Sequence, residues 1–411
     1  MSTPAIYAKP SEIGLDASRL HRIDDHFRHY VDNGQLAGWL IAVMRHGELA
    51  HFSTYGHRDK EANEPVTADT IWRIYSMTKP ITAVAAMMLW EEGKFELKDP
   101  VSKFIPSFAD QKVWRNGSTA KYFLDPVVQQ MEIWHLLTHT SGLTYGFMMA
   151  HPVDALYRDA GFDWGIPTEL NLEETCDRIA SLPLLFQPGT EWNYSMATDV
   201  LGRVVEVASG MSLDEFFRTR IFEPLGMTDT AFSVSTDKAH RLAALYGAKP
   251  SSLEAMRLET AGKAALRPPA AWLGGGGLMS TAPDYLRFAE MMRRGGELDG
   301  ARLLAPGTVR YMASNHLPGN VDLSEFGRPL FAETTYDGVG FGLGMSVTID
   351  PIKAKIPGSI GEFGWGGAAS TTFSVDPVQD TSVLLMTQLL PSSTHPLRSE
   401  LKQLVQQAIV D

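Results

Sequence analysis

The sequence has one cysteine, fewer basic than acidic residues and no long apolar run, and each of these scarcities excludes a class of protein. Cys176 alone cannot form an intrachain disulfide. The 36 lysines and arginines against 48 aspartates and glutamates give a formal charge of −12, which disfavours nucleic acid as a partner because phosphate-binding surfaces are basic. No segment approaches the roughly 18 apolar residues of a membrane span, and residues 1–20 lack the pattern of a secretory signal. We therefore expect a cytoplasmic protein without a membrane partner.

The 411 residues are enough for two or three structural units, and the sequence pattern changes along them. β-rich runs occur near both chain ends, whereas the middle is punctuated by prolines and favours helices. We therefore predict an α/β (α+β layered) fold in which residues 1–100 and 271–411 form a domain with an antiparallel sheet flanked by helices. Residues 101–270 are predicted to form an inserted helical domain, with the active site in the cleft between the two.

Individual elements follow from apolar periodicity and from turn residues. The predicted helices include Asp16–Asn33, Glu132–Thr138, Leu172–Ser181, Met196–Ala208 and His395–Val410. The predicted strands are Gly38–Met44, Leu49–Tyr55, Phe341–Thr348, Ser370–Asp376 and Thr381–Leu389. Four consecutive glycines, Gly274–Gly277, lack the Lys-Ser/Thr that would complete a phosphate-binding loop, so we interpret them as a tight passage beside a cleft or packed backbone.

The clearest chemical signal is Ser76-Met77-Thr78-Lys79, at the start of a predicted helix that ends near Gly93. Side chains three apart on a helix share a face, so the Lys79 ammonium is expected within reach of the Ser76 hydroxyl. The amino end of the helix adds free N–H groups and partial positive charge. A serine beside a base and amide donors is the equipment for acyl transfer. The alternative is a serine N-cap followed by a solvated lysine.

Two further segments favour the catalytic interpretation, Tyr194-Ser195-Met196 and Phe363-Gly364-Trp365-Gly366-Gly367-Ala368. With Ser76–Lys79, they resemble the motifs of the serine β-lactamase and penicillin-binding-protein superfamily, in its class C β-lactamase-like branch. The resemblance covers nearly the whole chain and implies a class C β-lactamase-like fold. It includes the segments Leu97–Val101, Leu136–Leu143 and Phe222–Met227.

Two departures from the family pattern narrow the expected activity. Met196 stands where the β-lactamases of this branch have asparagine, and Trp365 stands where they have lysine. An indole and a thioether disfavour an anionic lactam, and Trp365-Gly366-Gly367 is similar to the corresponding motif of family VIII carboxylesterases. The resemblance therefore implies a serine carboxylesterase for short-to-medium acyl esters with weak or no β-lactamase activity. The alternatives are an acyltransferase, a D-amino-acid amidase or peptidase, a β-lactamase, and an inactive scaffold that binds a partner.

The resemblance also assigns roles to individual residues. Ser76 is the nucleophile, and Lys79 or Tyr194 is the general base. Lys79 is expected to lower the pKa of Tyr194. The backbone N–H groups of Ser76 and Ala368 form the expected oxyanion hole.

The expected substrate pocket consists of Trp365, Gly366, Gly367, Met196 and Tyr145. The two glycines would let the strand approach the acyl group, and Tyr145 would contribute apolar recognition, not proton transfer. Asp199 either orients the Lys79–Tyr194 pair or simply begins a helix.

No cofactor or metal is expected. His135 and His139 are four residues apart, but the surrounding sequence lacks a zinc-site pattern. The expected partner is a small ester, and the oligomeric state stays open.

Overall fold

The computed structural model describes residues 8–163 and 169–411. Its α-helices are α1 Ala17–Asp32, α2 Thr78–Glu91, α3 Ile133–Leu137, α4 Pro152–Asp159, α5 Leu172–Ala180, α6 Ala197–Ser209, α7 Leu213–Phe217, α8 Glu223–Leu225, α9 Glu259–Lys263, α10 Ala282–Arg293, α11 Pro306–Met312, α12 Leu323–Phe326, α13 Pro351–Ala354 and α14 Leu397–Gln406. Within the described ranges, no helix is both long enough and apolar enough to cross a membrane.

The strands of the same ranges are short apart from the first two. They are β1 Gly38–Arg45, β2 Glu48–Asp59, β3 Glu64–Pro65, β4 Trp72–Arg73, β5 Lys112–Ser118, β6 Lys121–Pro126, β7 Tyr246–Ala248, β8 Ala255–Arg257, β9 Met279–Ser280, β10 Glu297–Leu298, β11 Ala301–Arg302, β12 Val339–Phe341, β13 Ser346–Thr348, β14 Phe363–Gly366, β15 Thr372–Asp376, β16 Thr381–Met386 and β17 Leu389–Leu390.

Eight strands from the two ends of the chain form one sheet, in the order β12-β13-β14-β15-β16-β1-β2-β3. Neighbouring strands are antiparallel, and β1 from the amino-terminal part lies between β16 and β2. The predicted antiparallel sheet, built from both chain ends and flanked by helices, is therefore confirmed. Because side chains alternate between the two faces, Leu40 and Ala42 join the core around α2, whereas Trp39 and Ile41 join the core beneath α1 and α14.

Helix α2 lies in the larger core and is buried along nearly its whole length. Its neighbour α6 crosses close to the glycine run, because Gly202 has no side chain and faces Gly274 and Leu213. This contact brings the start of α2, the start of α6 and the Gly274–Gly277 segment together at one place. The glycine run is the predicted tight passage, since a Cβ on Gly275 would come within 2.5 Å of the Asp199 carboxylate.

Three parts of the strand prediction are wrong. Phe341–Thr348 is not one strand: Gly342 and Gly344, the latter at φ 82°, turn the chain between β12 and β13. The middle of the chain also contains the hairpin β5–β6, in a segment expected to be helical or irregular. In addition, the predicted strand Thr381–Leu389 is not continuous: β16 ends at Met386, and β17 pairs with β7 in a separate sheet. The domain boundaries at residues 100 and 270 stay predictions.

Candidate active site

Ser76 lies in a single 3₁₀ turn, Tyr75–Met77, that continues directly into α2. The preceding residue, Tyr75, has a positive φ of 42°, a backbone conformation that residues other than glycine rarely adopt. Thr82, one turn further along α2, donates from its hydroxyl to the Gly274 carbonyl over 2.7 Å. This hydrogen bond holds the start of α2 against the glycine run. Ser76, just before α2, is 8% exposed.

The structure brings the three predicted catalytic side chains together. Tyr194 donates its hydroxyl hydrogen to Ser76 Oγ over 2.5 Å, although the two residues are 118 positions apart. Lys79 Nζ donates to the same Ser76 oxygen over 3.3 Å. The serine oxygen thus accepts from both candidate bases at once, in a site from which bulk water is largely excluded.

Lys79 has two further partners, both close to its ammonium group. Its Nζ donates to the Gly275 carbonyl over 2.7 Å and to the Tyr145 hydroxyl over 2.9 Å. Asp199 at the start of α6 accepts from the N–H of the same Gly275 over 2.8 Å, so it helps to fix the residue whose carbonyl holds the lysine. Burial lowers the pKa of Lys79 to about 8, and the negative charges of Asp199 and Glu333 offset part of this effect.

The expectation that Lys79 lowers the pKa of Tyr194 is wrong for this structure. Burial raises the pKa of Tyr194 well above its ordinary value, and the charge of Glu333 adds to the increase. The lysine ammonium lies over the face of the tyrosine ring, 4.6 Å from its centre. Burial of both groups therefore favours a protonated Tyr194 that donates to Ser76, and a Lys79 that loses its proton more easily than a lysine in water.

Tyr145 was expected to contribute only apolar contacts, but its hydroxyl lies among the polar groups around Lys79. Its ring stacks on Phe147 at 4.7 Å, which fits apolar recognition, but its hydroxyl accepts the hydrogen bond from Lys79. Burial raises the pKa of Tyr145 well above its ordinary value, so the hydroxyl stays protonated. Tyr145 is therefore part of the polar cluster around the lysine.

Trp365 packs against Tyr194, and Met196 lies two residues after Tyr194 in the chain; both are buried. Trp365 in β14 is 2% exposed, and its ring lies 5.5 Å from that of Tyr194 and 5.3 Å from that of Phe341. Met196 precedes α6 as its N-cap residue and is 4% exposed. Both positions are apolar, so this side of the site offers neither a cation nor a carboxamide to an anionic substrate.

The two glycines after Trp365 do not leave room for an acyl group as expected. A Cβ on Gly366 would overlap the Arg398 guanidinium of α14, and a Cβ on Gly367 would overlap the carbonyl of Ile74. Their missing side chains therefore let β14 pack against α14 on one side and against the segment that leads to Ser76 on the other.

Ala368 lies in the tight turn, residues 367–371, that joins β14 to β15. The Gly367 N–H donates to the Thr371 carbonyl over 2.9 Å, and Ser370 has a positive φ of 71°. Within residues 8–163 and 169–411, the Ala368 N–H donates to no backbone carbonyl. That N–H is the donor expected in the oxyanion hole, and the turn keeps it available.

The two histidines considered as metal ligands have separate structural positions. His135 Nδ1 accepts from the Glu132 N–H over 2.9 Å and caps the start of α3. His139 lies beyond α3 at φ 54°, and its buried ring packs 5.1 Å from that of Tyr194. Among the described residues, no group of three or more possible ligands could hold a metal ion.

Sequence reasoning missed Arg398 and Glu333. Both lie next to the site, yet neither belongs to a motif, and they come from separate parts of the chain. Arg398 Nη2 lies 2.6 Å from Glu333 Oε2, and the Glu333 side chain is 1% exposed. Only the contact between α14 and the segment before β12 reveals this buried pair.

Comparison with known proteins places this fold and site in a family. The Beta-lactamase family model matches residues 23–407. This chain belongs to the β-lactamase family. Esterase EstB from Burkholderia gladioli is 34% identical over 394 residues, which cover 92% of this chain and 93% of EstB. Protein Rv1367c from Mycobacterium tuberculosis is 37% identical over 89% of this chain and 88% of its own length.

Solved structures of the β-lactamase family superpose over nearly the whole chain. EstCE1, described as a hydrolase with promiscuous acyltransferase activity, has a TM-score of 0.77 at 27% identity and covers 96% of this chain and 98% of its own. The LovD6 mutant of simvastatin synthase from Aspergillus terreus has a TM-score of 0.79 at 25% identity, with 97% and 98% covered. The predicted family, with its esterase branch, and the predicted fold are both confirmed.

Proposed function

We propose that this protein is a serine carboxylesterase that hydrolyses short-to-medium acyl esters through an acyl-enzyme on Ser76. The observation that carries the proposal is the buried cluster in which Tyr194 and Lys79 both reach Ser76 Oγ, beside an apolar Trp365. The similarity to Esterase EstB and to a lovastatin esterase from Penicillium rubens, 30% identical over 93% of this chain, supports an ester substrate.

The pKa values favour Lys79 as the base in acylation. With a pKa of about 8, a useful fraction of Lys79 is neutral near pH 7, and its Nζ takes the Ser76 proton as Oγ attacks the ester carbonyl. The oxygen of the tetrahedral intermediate accepts hydrogen bonds from the N–H groups of Ser76 and Ala368. One such donor typically contributes about 3 kcal/mol to the transition state.

Tyr194 acts as the acid toward the leaving group. Because its hydroxyl is protonated and lies against Ser76 Oγ, it donates its proton to the departing alkoxide, and the Lys79 ammonium replaces that proton. Water then attacks the acyl-enzyme, giving its proton to the neutral Lys79, and Ser76 leaves as the hydroxyl after protonation through the same pair. Over a full cycle, the proton that leaves with the alcohol is replaced by one from water, so the cluster returns to its starting protonation state.

The decisive test replaces the nucleophile. We expect Ser76→Ala to lower kcat/KM on a short-chain nitrophenyl ester by about five orders of magnitude, since removal of a nucleophile leaves only binding and oxyanion stabilisation. Ser209→Ala, at the carboxyl end of α6, should keep full activity. A fluorophosphonate should label the wild-type chain on Ser76 and leave Ser76→Ala unlabelled. Undiminished hydrolysis by Ser76→Ala would refute the proposal.

Acyl transfer is the second candidate, and the names of two similar proteins favour it. EstCE1 is described as a hydrolase with promiscuous acyltransferase activity, and Acyltransferase calJ from Penicillium decumbens is 28% identical over 80% of this chain. Hydrolysis and transfer share every catalytic group and differ in the acceptor. Adding a primary alcohol to the ester assay and measuring ester and acid products separately distinguishes them.

The apolar Trp365 and Met196 also define what the site should reject. We expect kcat/KM for a cephalosporin, and for D-amino-acid amides, to be at least about 100-fold below that for an ester of similar size. Comparable turnover of cephalosporin and ester would contradict this specificity. The cytoplasmic location and the lack of nucleic-acid and membrane partners stay predictions.

A further inference from the structure

The turn that contains the Ala368 N–H has few side chains that could stabilise it by hydrogen bonds. Residues 367–369 are Gly-Ala-Ala, so the side-chain hydrogen-bonding groups of the turn are the hydroxyls of Ser370 and Thr371, and the Thr371 hydroxyl has no partner among the described residues. Ser370 donates to the Leu389 carbonyl over 2.7 Å, and the Leu389 N–H donates to the Ala369 carbonyl over 3.0 Å. One side of the turn is therefore fastened to the segment after β16.

The other side of the turn is fastened by Arg398 of α14. Its Nη2 lies 2.9 Å from the Gly367 carbonyl and 3.1 Å from the Thr371 carbonyl, the two ends of the turn. Its guanidinium occupies the space that a side chain at position 366 would fill. A single group thus bonds both ends of the turn that contains Ala368.

Arg398 is itself held in place by a buried carboxylate. Its Nη2 donates to Glu333 Oε2 over 2.6 Å, and its Nη1 donates to the Glu333 carbonyl over 2.8 Å. Ser392 donates to the same Oε2 over 2.9 Å. The donors of a guanidinium lie in one rigid plane, so forming several hydrogen bonds costs little side-chain entropy per bond. Because the donor directions are fixed, these bonds also define where the turn lies relative to Arg398.

We propose that Arg398, held by Glu333, is a positioning residue that sets the oxyanion-hole N–H of Ala368. Arg398 touches neither Ser76 nor Tyr194 in the contacts above, so its effect passes through the backbone of the turn. Displacing an oxyanion donor by a fraction of an ångström weakens its hydrogen bond to the transition state more than any interaction with the bound substrate. The inference rests on the proposed function.

The experiment compares two ion pairs on the same helix. Arg398→Ala removes the contact to the turn, whereas Lys402→Met removes a similar pair, Lys402 with the buried Glu362, that has no bond to residues 367–371. Active sites are titrated with a fluorophosphonate, so that unfolded protein does not count. We expect Arg398→Ala to lower kcat for a nitrophenyl ester by about 100-fold with KM within about threefold, and Lys402→Met to change neither.

A second readout separates positioning from general loosening. A trifluoromethyl ketone forms a tetrahedral adduct with the nucleophile and places its oxygen in the oxyanion hole, so its inhibition constant should rise by the same factor as kcat/KM falls. Arg398→Lys keeps the charge but not the fork of donors, and should lose about tenfold in both quantities. Arg398→Ala with Glu333→Gln, which removes the unpaired buried charge, should stay as impaired as Arg398→Ala alone when both are measured at a pH above the activity midpoint, where the effect of Glu333 on the pKa of Lys79 no longer changes the amount of neutral base.

The results have distinct meanings. Unchanged kcat and inhibition constant in Arg398→Lys and Arg398→Ala would overturn the positioning role, as would equal losses in Lys402→Met. Recovery of activity in the double variant would also overturn it, because the fault would then be the buried charge of Glu333. If Ser76→Ala retained activity, the proposed function itself would fail, and that outcome is visible before any Arg398 variant is measured.

Discussion

The two walls of the active site work in different ways. The helical wall, from α2, α6 and the residues that lead into these helices, contributes the side chains of Ser76, Lys79 and Tyr194, and both Lys79 and Tyr194 donate to Ser76 Oγ. The sheet wall, from β14 and the turn after it, contributes a buried indole and the backbone N–H of Ala368. In the proposed mechanism, the helical wall carries out proton transfer, and the sheet wall determines the shape and polarity around the carbonyl oxygen.

The walls also differ in what holds them. The helical wall is held together by its own residues, because Lys79 donates to the carbonyl of Gly275 and Asp199 accepts from the N–H of the same residue. The turn of the sheet wall is held by residues outside the site, through hydrogen bonds with Arg398 and with Leu389. Substitutions in the helical wall should thus change the chemistry directly, whereas those in the sheet wall should change it through geometry.

The largest effect should come from removing the proton-transfer groups. We expect Lys79→Met and Tyr194→Phe to lower kcat/KM on a nitrophenyl ester by about 10³- to 10⁴-fold, the usual contribution of a positioned base or acid. Tyr157→Phe is a matched control, since Tyr157 is a fully buried tyrosine whose hydroxyl bonds to none of the catalytic side chains in the described part of the chain. A loss below tenfold in either catalytic variant would show that proton transfer does not depend on this wall.

Lys79→Met should also stabilise the fold. The pKa of Lys79 is lower in the folded chain than the ordinary 10.5, so the ammonium opposes folding fully below pH about 8, and this cost fades as the pH rises toward 10.5. Each unit of pKa shift corresponds to about 1.4 kcal/mol. The free energy of unfolding at pH 7 should therefore increase in Lys79→Met, measured by denaturant titration, while activity is lost. A large destabilisation would indicate that the lysine is structural.

A smaller but still clear effect should follow from adding one methyl group to the sheet wall. A Cβ at position 367 overlaps the carbonyl of Ile74, so Gly367→Ala must displace the turn or the segment before Ser76. We expect kcat to fall by about 100-fold with little change in KM. Gly307→Ala is the control, because its Cβ would lie 3.9 Å from the nearest atom, in Arg310. Wild-type kcat in Gly367→Ala would mean that the turn does not position the oxyanion donor.

The helical wall was the more predictable from sequence, and the reason is local geometry. Ser76 and Lys79 are three residues apart in a helical segment, so their proximity follows from the spacing. Tyr194 is 118 residues from Ser76, and only the family resemblance could bring it there. The apolar character of Trp365 was evident from its position in the motif, but the packing of Arg398 against Gly366 was not, because Arg398 is in no motif.

Other errors arose where tertiary packing decides the outcome. The hairpin β5–β6 exposes most of its side chains on both faces, so it lacks the alternation that marks a half-buried strand. The pKa of Tyr194 was predicted in the wrong direction because its burial and the nearby charge of Glu333 are not encoded locally. The hydrogen bond between Tyr145 and Lys79 depends on the same three-dimensional arrangement.

The smallest expected effect is a shift in pH dependence, and it tests how the helical wall is tuned. If neutral Lys79 is the base, kcat/KM should rise with pH to a midpoint near 8, whereas a tyrosinate base would place the midpoint above 10. The negative charge of Asp199 raises the pKa of Lys79, so Asp199→Asn, which keeps an acceptor for the Gly275 N–H, should move the midpoint about one unit lower. Glu206→Gln, a carboxylate on the same helix that bonds the Leu213 N–H, should leave it unchanged. A midpoint that stays fixed or moves upward in Asp199→Asn would mean that Asp199 holds the Gly275 peptide without tuning the lysine.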